Sequence, residues 1–187
     1  ASSRLDGSIG AAPDPQPSSA TPRRLKRPFG IGSDNCLSSK NAAGTTVLAE
    51  CLGRLQRGES GERTLDAIVA GVEICELDPK DSSVGYGGLP NADGVVQLDA
   101  AVMDGSSLRA GGVAALEGVR TPARVALAVA DLTDHHLLVG AGAQTFARQM
   151  GFAIEADLNT EGSRRAWLEW KRALDPLHWL DPKRQAA

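Results

Sequence analysis

Apolar residues recur at helical spacing in two early stretches of the chain, residues 45–58 and 64–77. Intervals of three and four residues place them on one face of a helix. The pattern predicts two amphipathic helices, the first closed by Gly58 and the second capped by Thr64 and ended before Pro79. A short link separates them, so we expect an antiparallel pair lying on one face of a sheet. The apolar positions of the first helix are Val47, Leu48, Cys51, Leu52 and Leu55.

Residues 81–112 organise the rest of the chain. A glycine-rich run at 84–88 leads through a turn at 91–94 into an alternating stretch, 95–103, that is typical of a strand. A turn at 105–107 and a second strand of small residues at 110–116 complete a hairpin.

Two acids in this hairpin, Asp99 and Asp104, lie among apolar residues in the sequence, which predicts that they are buried. They are an odd number of positions apart, so an uninterrupted strand points them to opposite faces. We therefore do not expect these two acids alone to form a catalytic carboxylate pair. We expect each acid to bond neighbouring backbone amides or to cap a turn.

The remainder of the chain predicts helices and short strands that pack against the hairpin. Thr121 and Thr160 are the expected caps of the first and last of these helices, and Gly151 is expected to end the middle one. This order indicates an α+β architecture, a sheet covered by helices. The predicted segments are a strand at 29–35, a helix at 122–132, a buried strand at 136–140, helices at 141–150 and 160–173, and an irregular end at 175–187.

Length and charge narrow the classes of function. A chain of 187 residues can bury one core, and a net charge of −3 argues against nucleic acid as a partner. No apolar run reaches the roughly 18 residues of a membrane span. Residues 1–28, rich in Pro, Ser and Ala with a basic cluster at 23–27, predict a flexible basic tail. The first residue is Ala, which indicates processing and favours a periplasmic, secreted or lysosome-like compartment over the cytoplasm.

The cysteines and histidines predict no metal site and no cofactor. The cysteines lack paired spacing and lie far from the histidines, and we expect Cys51 and Cys75 to be small buried hydrophobic residues. We expect one of His135 and His136 to be exposed and the other to be partly buried and structural. The six residues concerned are Cys36, Cys51, Cys75, His135, His136 and His178.

The glycine-rich run allows two interpretations. It has neither the ending of a phosphate-binding loop nor the spacing of a dinucleotide-binding turn. It is either a tight bend where a helix and a strand approach closely, or a wall of an active site whose amides face a ligand or nucleophile. The residues alone leave these two interpretations open.

Six blocks of sequence, in this order, resemble the α subunit of glycosylasparaginases, within the asparaginase/isoaspartyl peptidase group of N-terminal-nucleophile hydrolases. The resemblance runs from about residue 31 to about residue 181, and the segments 83–88 and 167–171 favour the glycosylasparaginase branch. The blocks are residues 78–88, 98–105, 110–115, 121–125, 133–143 and 146–152.

The resemblance implies an enzyme made as one precursor that folds into a four-layer αββα sandwich and cuts its own backbone before a Thr. That Thr begins the β subunit, where its hydroxyl is the nucleophile and its α-amine the base. The present chain matches the α subunit, with the hydrolase part at 29–181 and a linker at 182–187 near the cleavage site. The expected partners are the β subunit of the same precursor, in a dimer of αβ heterodimers, and a small asparagine-type substrate.

The resemblance assigns no catalytic residue to this chain. It implies that Gly85, Tyr86 and Gly87 pack beside the nucleophile and that Asp99 and Asp104 support this wall through hydrogen bonds.

The implied substrate is N4-(β-N-acetylglucosaminyl)-L-asparagine, with L-asparagine or isoaspartyl peptides as the alternative. The family's first strand carries a Trp and a Phe that line the pocket, but residues 32–37 contain neither, and a polar rim suits the alternative substrates. A different class of function, a non-catalytic remnant or binding module that uses half the fold, is a second hypothesis.

Overall fold

The structure is a computed structural model that describes residues 39–57 and 63–174. The predicted tail, the strand at 29–35, the pocket segment 32–37, Cys36, His178 and the C-terminal linker lie outside these residues. The elements are α1 (Val47–Arg57), α2 (Thr64–Leu77), β1 (Leu98–Asp104), β2 (Arg109–Leu116), α3 (Pro122–Leu132), β3 (Leu138–Val139), α4 (Gly140–Gln149) and α5 (Glu161–Leu174).

The helices begin and end close to the predicted positions, and the bounds of α2 and α3 coincide with them. At α2 the predicted cap was wrong: Thr64 is the first helical residue and Arg63 is the cap. The Asp66 carboxylate, in the first turn of the helix, accepts a hydrogen bond from the Arg63 amide at 2.9 Å. A carboxylate rather than a Thr hydroxyl therefore provides the hydrogen bond at the start of α2.

The start of α5 confirms Thr160 as a cap. The Ser163 amide donates to the Thr160 hydroxyl at 3.2 Å, and the Thr160 amide donates to the Ser163 hydroxyl at 2.9 Å. This reciprocal pair satisfies donors that an uncapped helix would leave without partners. At the end of α4, Gly151 adopts the left-handed conformation expected of a helix-ending glycine, with φ of +86°.

The sheet has three strands in the order β1-β2-β3. β1 and β2 form the predicted antiparallel hairpin, and β3 runs parallel to β2. The register shifts between Leu98 and Ala100, which marks a bulge in the hairpin.

One face of the sheet is covered by helices. α3 packs on β1 and β2, and α4 packs on β2 and β3. Gly111 permits the close approach of α3, because a Cβ there would lie 2.3 Å from the Ala130 nitrogen. The buried cluster at this face contains Val113, Leu116, Val119, Val125, Ala126, Val129, Ala143 and Ala147.

The other face of the sheet, termed the open face, is exposed among the described residues. It includes Asp99, Ala101, Met103 and Val139, and the last two are 66% and 55% exposed. The strand predicted at 136–140 is present as the two residues of β3, and Leu138 packs on the buried cluster. Its predicted burial was wrong at Val139, whose side chain meets solvent.

The histidines beside β3 differ from expectation for the same reason. His135 and His136 are both exposed, so the prediction that one is partly buried was wrong. A short apolar run beside a sheet predicts burial only when both faces of that sheet are covered.

The helix pair lies mainly against α3 rather than on the sheet, which corrects the predicted placement. α1 packs on α2, and α2 packs beside α3 and touches β1. Arg63 at the start of α2 bonds Asp131 near the end of α3 at 2.7 Å, so these two helices are antiparallel. α3 occupies the place on the sheet because the small residues of β2 accept it closely.

Cys51 and Cys75 are buried on helices, as predicted. In the part of the chain that the structure describes, none of the helices has the length and apolar character needed to cross a bilayer.

Candidate functional site

The glycine-rich turn, residues 84–88, lies between the end of α2 and residues 158–160. Gly85 has φ of +64°, and a Cβ there would lie 2.1 Å from the Glu76 carbonyl oxygen. Gly87 has φ of +87°, and a Cβ there would lie 2.9 Å from the Thr160 methyl carbon. Both positions require glycine, because conformation and space each exclude a side chain.

Three consecutive amides of the turn already have backbone acceptors. The Tyr86 amide donates to the Glu76 carbonyl at 2.7 Å, Gly87 to Leu158 at 2.9 Å, and Gly88 to Gly85 at 3.1 Å. The tight-bend interpretation of the run is confirmed at these positions. An oxyanion could recruit these donors only by breaking bonds that hold the turn in place.

The Tyr86 side chain is held on two sides. It packs against the buried side chains of Val96, Leu98 and Leu158. The Arg120 guanidinium lies over the ring, 3.8 Å from its centroid. Sequence reasoning missed this contact, since residues 34 positions apart carry no local pattern that links them.

The turn is also tied down at its entrance by Asp81. Its carboxylate accepts the Ser83 amide at 2.9 Å and the Ser39 hydroxyl at 3.2 Å. Partial burial opposes ionisation of Asp81, but hydrogen bonds from Ser83, Cys75 and Ser39 outweigh it and lower the pKa of Asp81. This acid therefore stays charged and anchors the segment that precedes the glycines.

Glu76 is a buried acid directly beneath the turn. It is 2% exposed, and its Oε1 accepts the Ala123 amide at the start of α3 at 2.9 Å. Its Oε2 has no hydrogen-bond partner among the described residues. Burial raises the pKa of Glu76 to about 7, although the bond from Ala123 acts in the opposite direction.

Sequence reasoning also missed Glu76, although a signal was present. It follows Val69 by seven residues and so falls on the same helical face as that buried side chain. An acid on the apolar face of a predicted helix indicates a buried partner, here the first turn of α3.

Asp99 is exposed on the open face, so its predicted burial was wrong. Its Oδ1 accepts the Ala115 amide at 2.7 Å. Ala115 has φ of +48°, which is rare for a residue other than glycine, and it lies at the bulge in the hairpin. The side chain of Asp99 thus replaces a ladder acceptor at a strained position.

Asp104 is half-buried and caps the turn between β1 and β2. It accepts the Ser106 amide at 2.9 Å and the Ser107 hydroxyl at 2.9 Å. Hydrogen bonds from Ser106, followed by those from Ser107, lower the pKa of Asp104 to about 2. The expectation that the two acids bond backbone amides or cap a turn is confirmed, and each does so separately.

The glycine-rich turn meets the hairpin at one point. A Cβ on Gly88 would lie 3.6 Å from the Leu98 side chain, and Leu98 immediately precedes Asp99. The predicted site residues therefore form two adjacent groups: the turn with Gly85, Tyr86 and Gly87, and the hairpin acids. Among the described residues, no group of three or more His, Cys, Asp or Glu side chains could hold a metal ion.

Comparison with known sequences connects these features to a family. Residues 33–185 match the family described as Asparaginase. The chain belongs to the asparaginase family. The predicted resemblance to the asparaginase group is therefore confirmed.

Individual members of the asparaginase family are similar to the chain over about three fifths of its length. A protein of Elizabethkingia miricola named N(4)-(beta-N-acetylglucosaminyl)-L-asparaginase is 46% identical over 110 residues, which are 59% of this chain and 32% of that relative. A Mus musculus protein of the same name is 40% identical over 121 residues, 64% of this chain and 35% of the relative. A plant-type L-asparaginase of Pyrococcus abyssi is 44% identical over 118 residues, which are 62% of this chain and 38% of that relative.

The matches span about a third of the length of these curated asparaginase relatives. They include relatives with two different printed activities at similar identity.

Proposed function

We propose that this chain is the α-subunit part of an amidohydrolase that cleaves the side-chain amide of N4-(β-N-acetylglucosaminyl)-L-asparagine and releases aspartate. The observation that carries the proposal is the 40–46% identity to family members named for this activity. The nucleophile is a Thr at the start of a companion polypeptide cut from the same precursor, and two such αβ pairs assemble into a dimer.

The proposed reaction passes through an acyl-enzyme. The Thr hydroxyl attacks the amide carbon while the free α-amine of the same residue takes its proton. The nitrogen leaves with the sugar, and water then hydrolyses the ester to aspartate. The oxyanion donors come from the companion polypeptide, in agreement with the internal acceptors already bound by the amides of Tyr86, Gly87 and Gly88.

The role of this chain is to form a wall beside the nucleophile. Gly85, Tyr86 and Gly87 provide a backbone surface free of bulky projections at the two glycines, and contacts with Glu76 and Leu158 hold it rigid. Asp99 and Asp104 support the adjacent hairpin by accepting hydrogen bonds from Ala115, Ser106 and Ser107. A rigid support matters because catalytic geometry tolerates little displacement.

The companion polypeptide covers the open face in this proposal and completes a four-layer sandwich. Two features support it: the exposure of Met103 and Val139, and the small residues around them, such as Ala101 and Gly112. Two stacked sheets interdigitate about 10 Å apart, and small side chains allow that approach. An exposed apolar sheet face is otherwise prone to association.

The alternative substrates are L-asparagine and isoaspartyl peptides. The similarity to the Pyrococcus abyssi protein favours this alternative, as do residues 32–37, which lack aromatic side chains. We also propose a periplasmic, secreted or lysosome-like location.

Aspartate release by the full-length precursor tests the proposal. The precursor is expressed and assayed with glucosaminyl-asparagine, L-asparagine and a β-aspartyl dipeptide. We expect the highest kcat/KM for the glucosaminyl substrate. A preference for either other substrate would establish the alternative, and no release from any of the three would leave a binding module as the better account.

A further inference from the structure

A clamp formed by two residues fixes the Tyr86 ring from the outside. The Arg120 guanidinium lies 3.8 Å from the ring centroid. Its Nε and Nη2 donate to Oε1 and Oε2 of Glu155 at 2.5 and 2.8 Å, a bidentate arrangement that sets the plane of the guanidinium. A group held in this way presents a defined flat surface to the ring.

The carboxylate half of the clamp has its own support. The Glu155 amide donates to the Gly118 carbonyl at 2.8 Å. A Cβ on Gly118 would lie 2.5 Å from the Glu155 carbonyl oxygen, so the two backbones approach too closely for any side chain there. Gly118 is only two residues before Arg120 in the sequence. The backbone contact between Gly118 and Glu155 therefore holds the two side chains of the clamp, Arg120 and Glu155, close together.

The segment that carries Glu155 touches the glycine-rich turn again further along. The Leu158 carbonyl accepts the Gly87 amide at 2.9 Å, and the Leu158 side chain packs with Tyr86 in one buried cluster. Thr160 lies against Gly87. Residues 155–160 and Arg120 therefore both contact the turn, and the Tyr86 ring lies against Leu158 and under Arg120.

We propose that Arg120, clamped by Glu155, is a positioning residue that acts through Tyr86 to hold the glycine-rich turn in register with the nucleophile. This inference rests on the proposed function, because it assigns the turn to the wall of that active site. Arg120 itself does not touch the substrate. Its loss lets the ring and the attached backbone shift, and a misplacement of about 1 Å can cost about 100-fold in rate.

A second ion pair in the chain provides a matched control. Arg63 binds Asp131 with two bonds of 2.8 and 2.7 Å, between α2 and α3 and away from the turn. The side chains of both pairs are similarly exposed. Arg63 also binds Asp66 with two bonds of 3.1 and 2.9 Å, which remain when Asp131 is changed. Because partly exposed pairs add little to folding stability, loss of either the Glu155 or the Asp131 carboxylate should change stability only slightly. Only the clamp should affect turnover.

The test uses the full-length processed enzyme and its activity toward the best of the three asparagine substrates. Glu155→Gln and Asp131→Asn make the same chemical change in the two pairs. We expect Arg120→Ala and Glu155→Gln to lower kcat about tenfold or more while KM changes less than about threefold, and Asp131→Asn to change both less than about twofold. Thermal unfolding should report similar Tm values for Glu155→Gln and Asp131→Asn.

Two further variants distinguish a positioning role of Arg120 from a general disturbance of the structure. Arg120→Lys keeps the charge but loses the fork, so we expect a kcat between those of the wild type and Arg120→Ala. In a cycle with Tyr86→Leu, Arg120→Ala should add little further loss, because both act through the same ring.

The outcomes distinguish the two proposals. An active wild type in which Glu155→Gln behaves like Asp131→Asn, or in which Arg120→Ala and Tyr86→Leu are additive, overturns the positioning role alone. A wild type that hydrolyses none of the substrates overturns the proposed function, and this inference falls with it.

Discussion

The two faces of the sheet differ in how far this chain completes them. On the covered face, Val113, Val125 and Val129 lie in one buried cluster under α3. On the open face, Met103 and Val139 are more than half exposed. The first face is a packed core, whereas the second exposes these apolar side chains, with no helix of the described residues packed over them. The buried core of the described residues therefore lies on one face, and the proposed function assigns the other face to the companion polypeptide.

Two consecutive glycines in β2 face opposite sides of the sheet and show the difference between its two faces. Gly111 faces α3, where a Cβ would lie 2.4 Å from the Ala126 carbonyl oxygen. Gly112 faces the open side, where such a Cβ would lie 3.2 Å from the Leu137 side chain and 3.3 Å from the Ala100 carbonyl oxygen. The first distance is a direct overlap with backbone atoms, whereas the other two need shifts of only a few tenths of an ångström.

The largest expected effect follows from this pair. Gly111→Ala forces α3 away from the sheet and should lower the free energy of unfolding by about 3 kcal/mol or more, while Gly112→Ala should cost less than about 1 kcal/mol. Urea denaturation of both variants measures the difference. Equal losses would contradict the view that only one face is closely packed.

The second prediction concerns the buried acid on the helical side. The pKa of Glu76 rises from its ordinary value of 4.5 to about 7 on folding, so the folded state holds this proton more tightly than the unfolded state. The contribution of Glu76 to the free energy of unfolding should therefore be complete below pH 4.5 and fall, by roughly 3 kcal/mol, as the pH rises to about 7.

Glu76→Gln provides the control for the pH dependence, since it cannot ionise. Denaturation across this pH range should show a flatter profile for the variant than for the wild type. A decline of the same size in both would assign the effect to other groups.

A smaller effect is expected at the hairpin bulge. Asp99→Ala removes the acceptor of the Ala115 amide and should lower the free energy of unfolding by about 1–2 kcal/mol. We also expect slower cleavage of the precursor, because the bulge loses its support. Gel analysis during expression measures cleavage, and Asp99→Asn, which keeps an acceptor, is the control. Normal cleavage and full activity in Asp99→Ala would count against its supporting role.

The smallest effect on folding is expected on the open face. Met103→Asp should change the free energy of unfolding by less than about 0.5 kcal/mol, because the side chain is already exposed. It should nevertheless block retention of the companion polypeptide, since a charge would be buried between the sheets. Co-purification of the two polypeptides measures this, and Met103→Leu is the control. Unchanged co-purification of Met103→Asp would place the companion elsewhere.

Features set by neighbouring residues could be predicted from the sequence. The bounds of α2 and α3 follow from apolar periodicity, and the separate bonding of Asp99 and Asp104 follows from their odd spacing. Such features depend on geometry within one element or one turn.

Features set by distant residues could not be predicted. Glu155 meets Arg120 across 35 positions, and no local pattern distinguishes it from other exposed acids. The exposure of Val139 was missed because a short apolar strand has the same composition whether one or both of its faces are covered. The resemblance supplied the family, but the packing within it needed coordinates.

The N-terminal sequence of the companion polypeptide tests the central claim most directly. After expression of the full-length precursor, the two bands of a denaturing gel are sequenced from their N-termini. The account predicts a second polypeptide that begins with Thr and remains bound to this one under native conditions. A single uncleaved chain that is nevertheless active, or a second polypeptide that begins with another residue, would contradict it.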